Sequence, residues 1–368
     1  MDRRRAELVE HLVPAPVGQQ VFGIALGYED INDHEELRHD PMMAVLAGKL
    51  QARREDCAPV AGKSTLNRLE LSLDTSTRYH KIAHDPSAIE ALFVTLFLEA
   101  HKTPPDEIIL DLDAAGDLLH GHQEGEEAVR FEQNQRAAKR DQELVLRERG
   151  GRGRFFHGYY DCYCYLPLYI FCGRHLLAAK LRPANIDGAA GAVEETARIV
   201  AQIRERWPRV RIILRAGFRL CPRRADDLVR RKRRRLHLGL AKNLCLNRLI
   251  GAESIAAREE SRVSGEPARR FKELSWPARK SWSRERRVIA KAEWTQGGAN
   301  PRYIVTSLTA ADGDGRWLYE DVYCAPGEME NRIKECQMDL FAGRTIRRRH
   351  DGQPTPAVVC LDGLRSGR

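Results

Sequence analysis

The strongest constraint on how this chain can fold lies at Pro104-Pro105, which leads into Glu107-Ile108-Ile109-Leu110-Asp111-Leu112-Asp113-Ala114. Ile108 to Leu112 is a short, mainly aliphatic run bounded by the proline pair and by Gly116, the pattern of a buried β-strand. Its far end carries carboxylates, and an acid at a strand end faces a cleft. Such an acid needs a counter-charge. In a phosphate-handling protein that role suits Mg²⁺, which takes one or two carboxylates and leaves its other positions to water and phosphate. Asp113 and Asp111 are therefore candidate ligands, against the plainer reading of a solvated strand-end aspartate.

The rest of the composition supports a polyanionic partner. At 368 residues the chain has room for one large domain or two ordinary ones. Lys and Arg number 61 against 52 Asp and Glu, a net charge of +9, so nucleic acid is the first partner to consider. No apolar run approaches the ~18–20 residues of a membrane span, and Met1-Asp2-Arg3-Arg4-Arg5 lacks the apolar centre of a signal peptide. A cytoplasmic protein with no membrane partner is expected. The nine cysteines form no CxxC pair, which suggests neither a disulfide framework nor a zinc site. Cys162, Cys164, Cys172 and Cys324 sit among apolar or aromatic residues and read as core thiols.

Residues 1–50 read as helical, with apolar spacing over Arg5–Val13 and Val17–Tyr28 and a helix start at Asp40-Pro41. Ala61-Gly62-Lys63-Ser64-Thr65 lacks the earlier glycine of a phosphate-binding loop, since Cys57 stands there. Asp85-Pro86-Ser87 opens a helix to Ala100 whose apolar face carries Ile89, Leu92, Phe93, Leu96 and Phe97. After the organising strand come His120-Gly121-His122, which reads as an ordinary loop, and a charged insert over 124–154. The aromatic, β-branched stretch from Phe155 to Arg182 reads as a hairpin turning at Gly173-Arg174. A helix follows over about 189–206, then a buried strand, Val210–Leu214. Arg219–Arg235 is strongly basic, and Arg233, Arg234 and Arg235 are candidate phosphate contacts. Strands are expected at Leu236–Leu240, Arg286–Ala292 and Tyr303–Thr306. Trp276, Trp282 and Trp294 lie among basic residues, as core rings or as stacking platforms for single-stranded or distorted DNA. The last helix begins near Pro326, with Glu330, Ile333 and Lys334 expected on one face. A carboxylate and a lysine one turn apart can serve metal and phosphate together.

Leu110-Asp111-Leu112-Asp113, His120-Gly121-His122-Gln123-Glu124-Gly125, the hairpin region and Gly327-Glu328-Met329-Glu330-Asn331-Arg332-Ile333-Lys334-Glu335-Cys336-Gln337 together resemble the DDE transposases of bacterial insertion sequences, over most of residues 20–344. The resemblance implies an RNase H-like α/β core, a mixed sheet flanked by helices, in which three acids hold divalent ions for DNA cleavage and strand transfer. It implies Mg²⁺, with Mn²⁺ as substitute, and double-stranded DNA partners: the element's terminal inverted repeats and the target. A homodimer in a synaptic complex is the implied assembly, nucleoid-associated when bound. The first acid maps to Asp113, with Asp111 as the alternative, and the third to Glu330. Arg332, Lys334, Arg233, Arg234, Arg235 and Trp294 are the expected DNA contacts. The second acid belongs directly after Arg215-Ala216, where this chain has Gly217; Asp226 and Asp227 are the nearby substitutes. Pro326 stands in place of a signature arginine, and Ala115 in place of the threonine after the first acid. The expected organisation is a helical DNA-binding module at 1–103, a catalytic core at 104–344 with a β-rich insertion at about 236–318, and a basic tail at 345–368. An active transposase and a non-cleaving DNA-binding remnant both follow from these residues.

Overall fold

The computed structural model describes residues 2–28, 30–49, 59–78, 80–118, 156–157, 162–217, 234–277, 285–324 and 327–338. The organising strand, β1, spans Glu107–Ala114. Ile108, Leu110, Leu112 and Ala114 enter the main core. The period-2 alternation of a strand therefore sends Ile109, Asp111 and Asp113 to the opposite face. A small sheet of β2 (Asp117–Leu118), β3 (Phe156–His157) and β4 (Cys162–Tyr165) follows.

Two strands then cover one edge of β1. β5 (Leu168–Cys172) pairs with it antiparallel, and β6 (His175–Lys180) pairs antiparallel with β5. The turn between them is Gly173-Arg174, and Gly173 adopts φ +55°, a left-handed conformation that disfavours any side chain. On the other edge β7 (Arg211–Ala216) runs parallel to β1, and β8 (Arg234–Leu240) runs parallel to β7. The resulting order β6-β5-β1-β7-β8, antiparallel on one side and parallel on the other, is the mixed sheet expected of an RNase H-like fold. Ile212, Ile213 and Leu214 are all buried, which is why β7 reads as a continuous apolar run.

Helices cover both faces. At the N-terminus α1 (Pro14–Ala25), α2 (His34–Leu37), α3 (Pro41–Leu46) and α4 (Lys63–Glu70) pack around Met43, Ala44 and Val60. Buried Gln19 donates from Nε2 to the Ala61 carbonyl at 2.8 Å. Arg5–Val13 is not the expected helix: only Ala6–Leu8 forms a 3-10 turn, and Pro14 starts α1. α5 (Pro86–Glu99) begins where the sequence signals it, because the Asp85 carboxylate accepts from the Ser87 and Ala88 amides. Its buried stripe is Phe93, Val94, Phe97 and Leu98, whereas Leu92 faces solvent. α6 (Ala192–Arg206) buries Ile199, Val200 and Ile203 in the same core as Leu110 and Leu214.

Beyond β8 the sheet continues, and its chain is not all β. Asn243 caps α7 (Leu244–Leu249), and α8 (Gly251–Ser264) follows. The strands β9 (Ala268–Trp276), β10 (Arg286–Thr295), β11 (Gly298–Ala299) and β12 (Arg302–Thr306) then join the sheet, with β12 antiparallel to β8. Residues 234–238 of β8 pair with β7 and residues 237–240 with β12, so the start of the expected β-rich insertion lies within the same sheet as β1. Leu318–Tyr323 forms a π-helical segment, and α9 (Gly327–Met338) ends the described chain. The thiols divide: Cys164 is buried, Cys172 half-buried and Cys324 exposed, so Cys324 is not a core residue; the Cys162 side chain lies outside the described set.

Candidate active site

The face of β1 that carries Asp111 and Asp113 is roofed by the C-terminal elements. Asp113 sits opposite Tyr169, and Asp111 opposite Phe171, across β5. Those two rings, with Leu176 and Phe93, receive Met329, Ile333 and Cys336 of α9. Each such apolar side chain contributes about 1.5–3 kcal/mol when fully buried, enough to hold a three-turn helix on the sheet. The sequence thus brings the strand of Asp113 and the helix of Glu330 to one face. Asp113 is half-buried, and Glu330 is exposed next to buried Met329. Ile333 does not share the outer face with Glu330 and Lys334; it points into the cluster while both charged residues remain exposed.

Asp111 has another employment. It is 4% exposed, and Arg215 of β7 grips it with two nitrogens, Nε to Oδ1 and Nη2 to Oδ2 at 2.7 Å. The remaining terminal nitrogen of Arg215 donates to the Val322 carbonyl of the π-helical segment. Strand register explains the meeting, since Asp111 and Arg215 are direct neighbours in the parallel pair. The same register runs on to His237 on β8 and Thr306 on β12. His237 is fully buried, its Nδ1 lies 3.3 Å from Thr306 Oγ1, and its ring stands 5.7 Å from that of Tyr323. Burial first, then the cations Arg215 and Arg287, push the imidazole down to about 4, against a bond with the Leu318 backbone that raises it. It is neutral at physiological pH. Sequence reasoning missed this polar row, Asp111–Arg215–His237–Thr306. Its signal was present as single polar residues at alternate positions inside apolar strands.

The second acid is absent where it was expected. Leu112 pairs with Ala216, so the next step of the register sets Gly217 beside Asp113. A Cβ built on Gly217 meets no atom of the described residues within 4 Å. Among the described residues no three His, Cys, Asp or Glu side chains converge to hold a metal ion. Asp111 is committed to a guanidinium, leaving Asp113 and Glu330, and two carboxylates supply too few ligands and too little charge for a pair of divalent ions among DNA phosphates. Among the described residues the donor set does not fit the metal site. Asp226 and Asp227 lie outside the described residues, as do Arg233, His120, His122 and Trp282.

Three of the six expected DNA contacts, Arg235, Arg332 and Trp294, are engaged within the chain. Arg235 pairs with Asp312 at 2.5 Å, and Arg332 with Glu335. Trp294 is half-buried, with the Arg258 guanidinium 5.2 Å from its ring centroid. Trp276 packs against the main core. Arg234 opens β8. Lys334 is exposed. Beside the Asp111–Arg215 pair lies a cavity of about 350 Å³ bordered by Phe97, His101, Glu107, Arg174, His175 and Met329; neither Asp113 nor Glu330 lines it.

The family model for the transposase DDE domain group 1 matches residues 1–135 and 151–352. The chain belongs to this transposase family. The match agrees with the mixed α/β sheet flanked by helices, and it marks the protein as DNA-handling by descent. No curated protein matches the chain. Among the described residues of this DDE-family transposase, no helix is long and apolar enough to cross a membrane.

Proposed function

We propose that this transposase-family chain binds double-stranded DNA and does not cut it. The observation that carries the reading is Gly217 at the strand end beside Asp113, with Asp111 already neutralised by Arg215. Family membership and a net charge of +9 support DNA as the partner. Terminal inverted repeats of an insertion sequence are the DNA we assign to it, bound by the helical module at 1–103 together with exposed basic residues such as Lys334, in a homodimer that brings two ends together in the bacterial cytoplasm.

A second reading is metal-dependent strand cleavage and transfer with Mg²⁺ or Mn²⁺, favoured by the shared face of Asp113 and the Glu330 helix. It requires Asp226 or Asp227 as the further acid. Incubating the full chain with a labelled duplex carrying the terminal repeats, with either ion, separates the two. Salt-sensitive binding without cleavage is the expected result. Cleavage that both Asp113→Ala and Glu330→Ala abolish overturns it.

A further inference from the structure

We infer that divalent-ion binding has been lost at one backbone position, Gly217, and that the scaffold around it still accepts the missing carboxylate. The inference rests on the reading above only in taking the Asp113 face as the former metal face.

Arg215 and Asp111 touch, so both point to that face, and Gly217 lies two positions beyond Arg215, just past the last residue of β7. The parallel register ends at the pair Leu112 and Ala216, and Gly217 is the residue that follows Ala216 as Asp113 follows Leu112. Gly217 is not among the glycines with positive φ, so an L-residue fits its backbone without strain. Among the described residues nothing lies within 4 Å of its Cβ site, so an added Cβ displaces none of them. The opposite wall is in place, because α9 is seated on Tyr169 and Phe171, the β5 partners of Asp113 and Asp111. Asp111 cannot substitute for the lost acid. Freeing it would leave Arg215 charged and nearly buried without its carboxylate partner. One new carboxylate at 217 would add an oxygen donor to the face that carries Asp113 and receives the helix of Glu330, and a hard cation that keeps part of its water shell needs only a few such donors.

The test is Mn²⁺ titration of the full chain, followed by the electron paramagnetic resonance signal of free Mn²⁺ and by calorimetry, with no DNA present. Failure here is thus read separately from failure of DNA binding. The parent chain is expected to show no saturable binding. Gly217→Asp is expected to bind Mn²⁺ with a rise in Tm that EDTA reverses, while Gly217→Asn, of equal size and no charge, and the double variant Gly217→Asp/Asp113→Asn are not. A Gly217→Asp chain that unfolds in EDTA and folds with Mn²⁺ supports the same conclusion. Saturable, Asp113-dependent Mn²⁺ binding by the parent overturns it, as does a Gly217→Asp chain that binds no Mn²⁺, folded or not.

Discussion

Asp111 illustrates how little of a residue's role is contained in its own type. From sequence it is the neighbour of a candidate metal ligand; in the fold it is the counter-ion of Arg215, with side chains 6% and 10% exposed. Removing one partner of such a buried pair leaves an uncompensated charge, so Asp111→Asn should cost about 3–5 kcal/mol in urea unfolding. Replacing both, as Asp111→Leu/Arg215→Met, should recover much of that loss, because the buried charge goes with its partner. His237 gives a pH signature. Its folded value of about 4 lies below the ordinary histidine value of 6.5, so the unfolded chain takes up the proton first. The contribution is fully present above pH 6.5 and is lost as pH falls toward 4, by up to about 3 kcal/mol. His237→Gln should flatten the acid limb of stability against pH in that window. The difference between parent and variant isolates it from Glu70, whose carboxyl burial raises to about 7 and whose contribution runs the opposite way.

At the scale of elements, local chemistry was a good guide where it acts locally. The Asp85 and Asp40 caps start α5 and α3 as the sequence indicates, and the aliphatic run 108–112 is a strand. It was a poor guide where tertiary contacts choose. Arg5–Val13 has helical spacing but no partner surface to bury it, and Leu8 and Leu12 remain exposed. α7 went unseen because it is only six residues long, and α8 because its polar, charged sequence gives a weak apolar stripe; α8 buries Ala257 alone among its residues. α9 owes its position to one narrow seam on the sheet. Ile333→Ala should cost about 2–5 kcal/mol of seam packing and speed amide hydrogen exchange in Gly327–Met338 while β1 and β7 stay protected, as mass spectrometry of exchanged peptides would show.

At the scale of the whole molecule, the net charge of +9 overstates the free basic surface. Across β9, β10 and the segment after β12, Arg269, Arg270, Lys272, Arg287, Lys291 and Arg316 all pair with glutamates. DNA affinity should fall linearly in log–log coordinates with salt, with a slope of about −0.9 per phosphate contacted, in a fluorescence-anisotropy titration. Lys334→Ala should make that slope shallower by about one if Lys334 meets phosphate. The sequence by itself determined the family, the α/β class and the identity of the first strand, since periodicity, caps and motif spacing are properties of neighbours along the chain. The tertiary structure alone decided that Asp111 belongs to Arg215 and that Leu112 pairs with Ala216, the residues just before Asp113 and Gly217. Those facts depend on which strands pair and in what register, and register is fixed by burying whole faces against helices distant in sequence.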